Sequence, residues 1–101
     1  MRLHGYGIIC RNYISGRGST AGEIDFIAVR KKVLVFVEVK KRSALNVAAY
    51  AISAQQRRRI CNGAKFFLQH HPQYRDFDTR FDAILISFPC SIRHIPNAWT
   101  V

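Results

Sequence analysis

The chain has 101 residues and is 49% hydrophobic, with seven Phe, four Tyr and one Trp; this suits a single domain over residues 1–101 around one core and argues against a disordered chain. Sixteen Lys and Arg against six Asp and Glu give a net charge of +10, which points to a polyanion held through phosphate contacts and counterion release rather than to a merely solvated surface. Cys10, Cys61 and Cys90 are far apart with no CxxC pair, against a disulfide framework or zinc site and for thiols in a reducing cytoplasm, and the run MRLHGYGIIC is too short for a signal peptide or membrane span.

Tyr6–Tyr13 reads as a first strand, and Ser15–Gly22 (SGRGSTAG) as a basic, turn-rich loop. EIDFIAV (23–29) and VLVFVEVK (33–40) are strands rich in Val, Ile and Phe, joined through Arg30, Lys31 and Lys32. RSALNVAAYAI (42–52) is open between loop and short helix. Ser53 with Gln56 forms a capping-box signal for a helix running to about Gln69. Ile60, Ala64, Phe67 and Leu68 mark its buried face, with Arg58, Arg59, Asn62, Lys65 and Gln69 largely opposite. Pro72 closes it. QYRDFDT (73–79) is a polar loop, RFDAILISF (80–88) an apolar strand and SIRHI (91–95) a short last one. Strand, helix, strand implies a crossover and a locally parallel pair, while the hairpins make the sheet mixed: an α/β (α+β) fold. No strongly amphipathic basic helix favours a membrane surface.

The carboxylates of the central hairpin interrupt otherwise apolar strands. A two-residue loop at Lys31-Lys32 and a four-residue loop over 30–33 give the same register. Ile27 then faces Phe36, Asp25 faces Glu38 and Glu23 faces Lys40, all on one face. The other face, with Ile24, Phe26 and Ala28 against Val35, Val37 and Val39, is wholly apolar. Directly opposed residues have Cβ atoms roughly 4.5–5.5 Å apart, so two carboxylates there repel unless something compensates. In one reading a divalent cation bridges Asp25 and Glu38, with Lys40 two residues on to hold a water or a phosphate oxygen. In the other, Glu23 and Lys40 form an ordinary cross-strand ion pair, and Asp25 and Glu38 pair with nearby Arg at a wet strand end. A three-residue loop would shift the register by one and separate the acids.

Asp25, a dozen intervening residues and then Glu38-Val39-Lys40 resemble the PD-(D/E)xK nuclease signature, without its Pro. The words RNY, GEIDFIA, VFVEVKKRS, RFDAILI and IRHIPNAW are together similar, over nearly the whole chain, to the uncharacterised bacterial YraN family, grouped with archaeal Holliday junction resolvases in the restriction-endonuclease-like fold. The resemblance implies that fold, a mixed sheet with a crossover helix. It implies Asp25 and Glu38 as metal ligands, with the Val39 backbone carbonyl as a further one, for Mg²⁺ or Mn²⁺. Lys40 would orient or activate the attacking water, and Glu23 would bind a second metal or pair with Lys40. Gln55, near the helix start, is either within reach of the site or a solvated surface residue. The family begins with a helix carrying an acidic residue; here that N-terminal helix is expected to be truncated or lost, exposing one face of the sheet.

The expected activity is metal-dependent hydrolysis of nucleic-acid phosphodiesters, structure-selective and on DNA, in the bacterial cytoplasm, with no small-molecule cofactor. Arg17, Arg30, Lys31, Lys32, Arg42, Arg57, Arg58 and Arg59 are candidates to steer the phosphate backbone, contacts that carry no sequence information. The alternative is a nucleic-acid-binding module of the same fold without chemistry. An exposed sheet face would favour a homodimer. His70 and His71 do not share a helix face and read as surface; His4 and His94 have no visible partner. Tyr74, Phe77 and Trp99 read as core before base-stacking residues, and Asp82 as a partner of Arg80 or a strand-end cap.

Overall fold

A computed structural model describes residues 2–3, 6–16, 21–43, 53–88 and 91–99. Arg17, His4 and Cys90, most of the stretch 42–52, and the side chains of Arg42 and Trp99 lie outside what is described. The strands are β1 (Arg2–Leu3), β2 (Tyr6–Ser15), β3 (Gly22–Arg30), β4 (Val33–Ser43), β5 (Asp78–Phe88) and β6 (Ser91–Trp99), with one α-helix among the described residues, α1 (Ala54–His70), between β4 and β5. They form one sheet in the order β1-β2-β3-β4-β5-β6. Every neighbour pair is antiparallel except β4 and β5, the pair joined through α1, which is parallel. This is the mixed sheet with a crossover helix expected from the element order.

The helix starts where its cap dictates. Ser53 Oγ accepts from the Gln56 N–H at 3.1 Å and Gln56 Oε1 accepts from the Ser53 N–H at 3.0 Å, a complete capping box. Ile60, Gly63, Ala64 and Phe67 are its buried residues. They close over Ile24, Ile27, Leu34, Phe36, Phe81 and Ala83, with Tyr74 and Phe77 packed alongside. Phe36, Phe67 and Phe81 fill that core with ring contacts at 5.6–6.3 Å between centroids. Asn62, expected on the solvent side, instead donates to the Ala21 carbonyl at 3.3 Å. The closest approach is between backbones: a Cβ on Gly22 would fall on the Gly63 N and Cα and lie 2.8 Å from Ser15 Oγ. Two glycines therefore let α1 lie directly on the start of β3.

On the sheet face away from α1, Tyr6, Ala28, Val35, Val37 and Ile84 form a second apolar cluster. Ala28, Val35 and Val37 are at most 1% exposed, so the centre of this face is closed to solvent, contrary to the bare face expected. Strand bounds differ from the sequence reading at several places: β1 was not expected, β4 runs on to Ser43, and β5 starts at Asp78 inside the expected loop. β2 runs on to Ser15, with a bulge between Ile8 and Cys10. β6 continues through Pro96 to Trp99; β6 is the last strand of the sheet, and an edge strand has no outer ladder for a proline to break. Among the described residues no helix is long and apolar enough to cross a membrane.

Candidate functional site

The hairpin turn sets the site. Lys31, with φ of 54°, and Lys32 form a two-residue loop that pairs Arg30 with Val33, and the ladder continues through Ala28–Val35 and Ile27–Phe36 to Phe26–Val37. This is the register expected from either even-numbered loop, and it stops where the acids begin. Hydrogen-bonded and non-hydrogen-bonded pairs alternate in an antiparallel ladder, so the next bonded pair would be Ile24 with Val39. Asp25 intervenes: its Oδ2 accepts the Val39 N–H at 2.8 Å. The Asp25 side chain thus takes a place in the ladder that a main-chain carbonyl would have filled.

The neighbouring strand shows how β3 is released. Asn12 lies between the paired residues Arg11–Phe26 and Tyr13–Ile24, level with Asp25, and has φ of 51°. This left-handed conformation suits Asn better than most side chains. It coincides with a slip in face alternation on both strands. Tyr13 and Ile24 lie in the helix-side core together with Cys10 and Ile27, three residues away in each strand. Ile24, expected beside Phe26 and Ala28 on the opposite face, is corrected accordingly.

Glu38 and Lys40 share the helix side of β4 with Leu34 and Phe36, by alternation from those core residues. Asp25 and Glu38 are in side-chain hydrogen-bonding contact. Burial, then the Asp25 charge and that hydrogen bond, push the Glu38 carboxyl up to about 7; the Lys40 ammonium pulls it down and Glu23 adds a smaller upward push. Lys40 is only 4% exposed, a position where a charged ammonium calls for an anionic neighbour. Glu23, Asp25 and Glu38, three of the six acidic residues in a chain of net charge +10, act on one another at this strand end.

The helix contributes the opposite wall. Glu23, Glu38, Gln56, Arg59 and Ile60 line one cleft of about 120 Å³. Gln56 reaches it; Gln55, the residue suggested by the sequence, is exposed and is not in its lining. Glu23 accepts from Arg59 Nη2 at 2.8 Å, so the expected cross-strand partner Lys40 is replaced by one from α1. Arg57 and Arg58 are exposed on the same helical turn. Arg30, Lys31 and Lys32 are elsewhere. Five residues of extended strand put Arg30 roughly 17 Å from Asp25, so Arg30, Lys31 and Lys32 form a group separate from Arg57, Arg58 and Arg59.

A second polar cluster lies in β5 and β6. Asp82 is fully buried. It accepts from Arg80 Nε and Nη2 at 2.8 and 2.9 Å and from the Asn97 N–H at 2.8 Å, and it pairs with His94 Nε2 at 2.7 Å. Burial alone would raise its carboxyl, but these partners hold it below the usual range. Arg80 also donates to the Tyr6 hydroxyl and lies over its ring. The Asp82–Arg80 pair was legible in the sequence; the His94 partner was not. Elsewhere Cys10 and Cys61 are free thiols, and burial pushes Cys61 up. His70 is an exposed helix-end residue, while His71 is half-buried against Phe67.

Among the described residues no three His, Cys, Asp or Glu side chains converge into a ready-made metal cage. What the hairpin offers is a carboxylate pair beside an ammonium.

The model of the uncharacterised protein family UPF0102 matches residues 1–86. A UPF0102 protein of Paramagnetospirillum magneticum is 43% identical over all 101 residues of this chain and 78% of its own length. Similar proteins of Rhodopseudomonas palustris and Nitrobacter winogradskyi are 43% and 42% identical over 94% of this chain, and over 67% and 77% of their own lengths.

Proposed function

The chain belongs to the UPF0102 family, and from that premise we propose that it is a metal-dependent phosphodiesterase acting on nucleic acid, selective for the structure of DNA rather than its sequence. The observation that carries the reading is the contact between the Asp25 and Glu38 carboxyls at the end of the β3/β4 ladder, beside a buried Lys40. Two carboxylates brought together at partial burial repel, and here the strain is visible as a Glu38 that keeps its proton to about pH 7. A hard divalent cation fits that donor set and would take the place of the proton.

Asp25 and Glu38 would hold Mg²⁺ or Mn²⁺. Val39 is a further candidate: a residue in an extended strand points its N–H and C=O the same way, and the Val39 N–H is turned to Asp25. The chemistry supplied by such an ion is a more acidic water and a polarised phosphate oxygen. The chain's own contribution is positional. Asp25 is fixed by the Val39 N–H, Glu38 by Asp25, and Lys40 brings a cation to the same point, suited to hold a water and to offset charge building on the phosphate. The net charge of +10 supplies the attraction to a polyanion, through contacts blind to sequence.

The second reading is a nucleic-acid-binding module without chemistry. The raised Glu38 favours it in one respect: a shared proton already makes the carboxyl pair self-sufficient. Incubation of branched and linear DNA with Mg²⁺ separates the two. Cleavage by the native chain that is lost in Glu38→Ala is expected. No metal-dependent cleavage, or equal cleavage by both, defeats the nuclease assignment. A Tm that Mn²⁺ does not move, with salt-sensitive DNA binding retained, establishes the module.

A further inference from the structure

Two arginine–carboxylate pairs among the described residues are of opposite construction. Arg80 grips Asp82 with two donors, Nε and Nη2, on both carboxylate oxygens, and Asp82 is wholly buried. Such a bidentate, desolvated fork is made to stay closed. Arg59 meets Glu23 through Nη2 and Oε2 at 2.8 Å, with the two side chains 47% and 52% exposed. An exposed pair of this kind is weak and readily exchanged.

The weak pair is at the chemically interesting place. Arg59 and Glu23 line the same cleft as Glu38, facing one another from α1 and β3. A guanidinium binds carboxylate and phosphate oxygens with the same planar fork of N–H donors. Its present partner therefore has the shape and charge of what a nucleic-acid backbone would bring. Arg57 and Arg58, exposed on the same turn, add attraction but are not in the lining of the cleft.

We propose that Arg59 is the residue that takes a backbone phosphate at this cleft, and that Glu23 occupies it in the free protein as an internal stand-in for that phosphate. The inference rests on the nucleic-acid reading above and adds to it a specific contact and a competitor. Glu23 then has a role separate from Asp25 and Glu38: it sets how tightly the backbone binds. An exposed pair closed for roughly 67–83% of the time weakens a competing ligand about three- to sixfold.

The test is metal-free, so it is independent of cleavage. Anisotropy of a fluorescein-labelled DNA junction and a linear duplex, in EDTA at fixed salt, gives affinities for the native chain, Glu23→Gln, Arg59→Ala and the double variant. Glu23→Gln is expected to bind about three- to sixfold tighter. Arg59→Ala is expected to bind several-fold weaker, with its salt slope reduced by about 1. Glu23→Gln is expected to have little effect once Arg59 is gone. Equal tightening with and without Arg59 would show a plain charge effect and overturn the proposal, as would an Arg59→Ala variant that binds like the native chain. Absence of DNA binding by the native chain removes the underlying reading and the proposal with it. Thermal melts of all four proteins check folding, which a pair this exposed leaves intact.

Discussion

Glu38→Gln is expected to stabilise the metal-free protein above pH 7 while abolishing metal-dependent cleavage. Glutamine has the shape of a protonated glutamic acid and can donate to Asp25 as that acid does, and Asp25 remains to balance Lys40. The magnitude follows from the raised carboxyl. Its folded value is about 7 against an ordinary 4.5. A pKa raised on folding contributes stability in full below the unfolded value, and that stability is lost as pH rises through the folded one. At roughly 1.4 kcal/mol per pH unit the ceiling is about 3.5 kcal/mol. The side chain is only half-buried, and solvent screening brings this to roughly 1–2 kcal/mol, or on the order of 10 °C in Tm for a domain of this size. Thermal unfolding in EDTA at pH 5 and pH 8 measures it. The variant should gain on the native chain between the two pH values and lose that advantage when Mn²⁺ is added. A Glu38→Gln protein that is no more stable at pH 8, or whose advantage does not change with pH, would show that the carboxyl pair carries no such strain.

Lys40→Met is expected to move the Glu38 midpoint further above 7, because the Lys40 charge is what holds it down; a ¹³C carboxyl titration that leaves the midpoint unchanged refutes this. Asp82→Asn leaves Arg80 and His94 facing an amide and is expected to cost about 3–5 kcal/mol in urea unfolding. Because the Asp82 carboxyl is depressed, the stability it provides is present above its ordinary value of 3.8 and lost as pH falls through the lower folded one. The gap between native and variant should therefore narrow only in strong acid. Gly22→Ala places a Cβ on the Gly63 backbone and is expected to cost about 1–3 kcal/mol or more. Gly63→Ala meets the buried Ile24 side chain at 3.0 Å and the Glu23 backbone N at 3.3 Å, a milder overlap than that at Gly22, and gains about 1 kcal/mol of helix propensity. It should therefore melt closer to the native chain; a reversed order would overturn this packing account.

The features that local rules control were legible in the sequence. A basic turn of even length fixed the register of β3 and β4, and a Ser–Gln pair fixed the first residue of α1. What escaped depended on contacts between distant segments or on a single backbone angle. Nothing in RNY announces that Asn12 adopts a positive φ, yet the break beside it turns Ile24 toward the helix and lets Asp25 enter the ladder. His94 looked solitary because its partner Asp82 is twelve residues away across two strands. Gln55 and Gln56 differ by about 100° around the helix axis, and only docking against β3 decides which faces the cleft. The fate of Glu23 escaped for the same reason, since Arg59 reaches it across 36 positions of sequence.

The sheet order, in which each strand lies beside its neighbour in sequence, has a kinetic consequence. Asp25, Glu38 and Lys40 can meet as soon as a two-residue turn closes, and hairpins form in microseconds. Arg59 arrives only with the crossover that pairs β4 with β5, a longer-range and slower closure. During refolding the acids would then be assembled before the helix brings its cation to them. Docking of α1 then buries Glu38, the main cause of its raised carboxyl, so above pH 7 that step buries a charge or takes up a proton. Stopped-flow refolding in EDTA should therefore be slower at pH 8 than at pH 6, and Glu38→Gln should remove most of the difference.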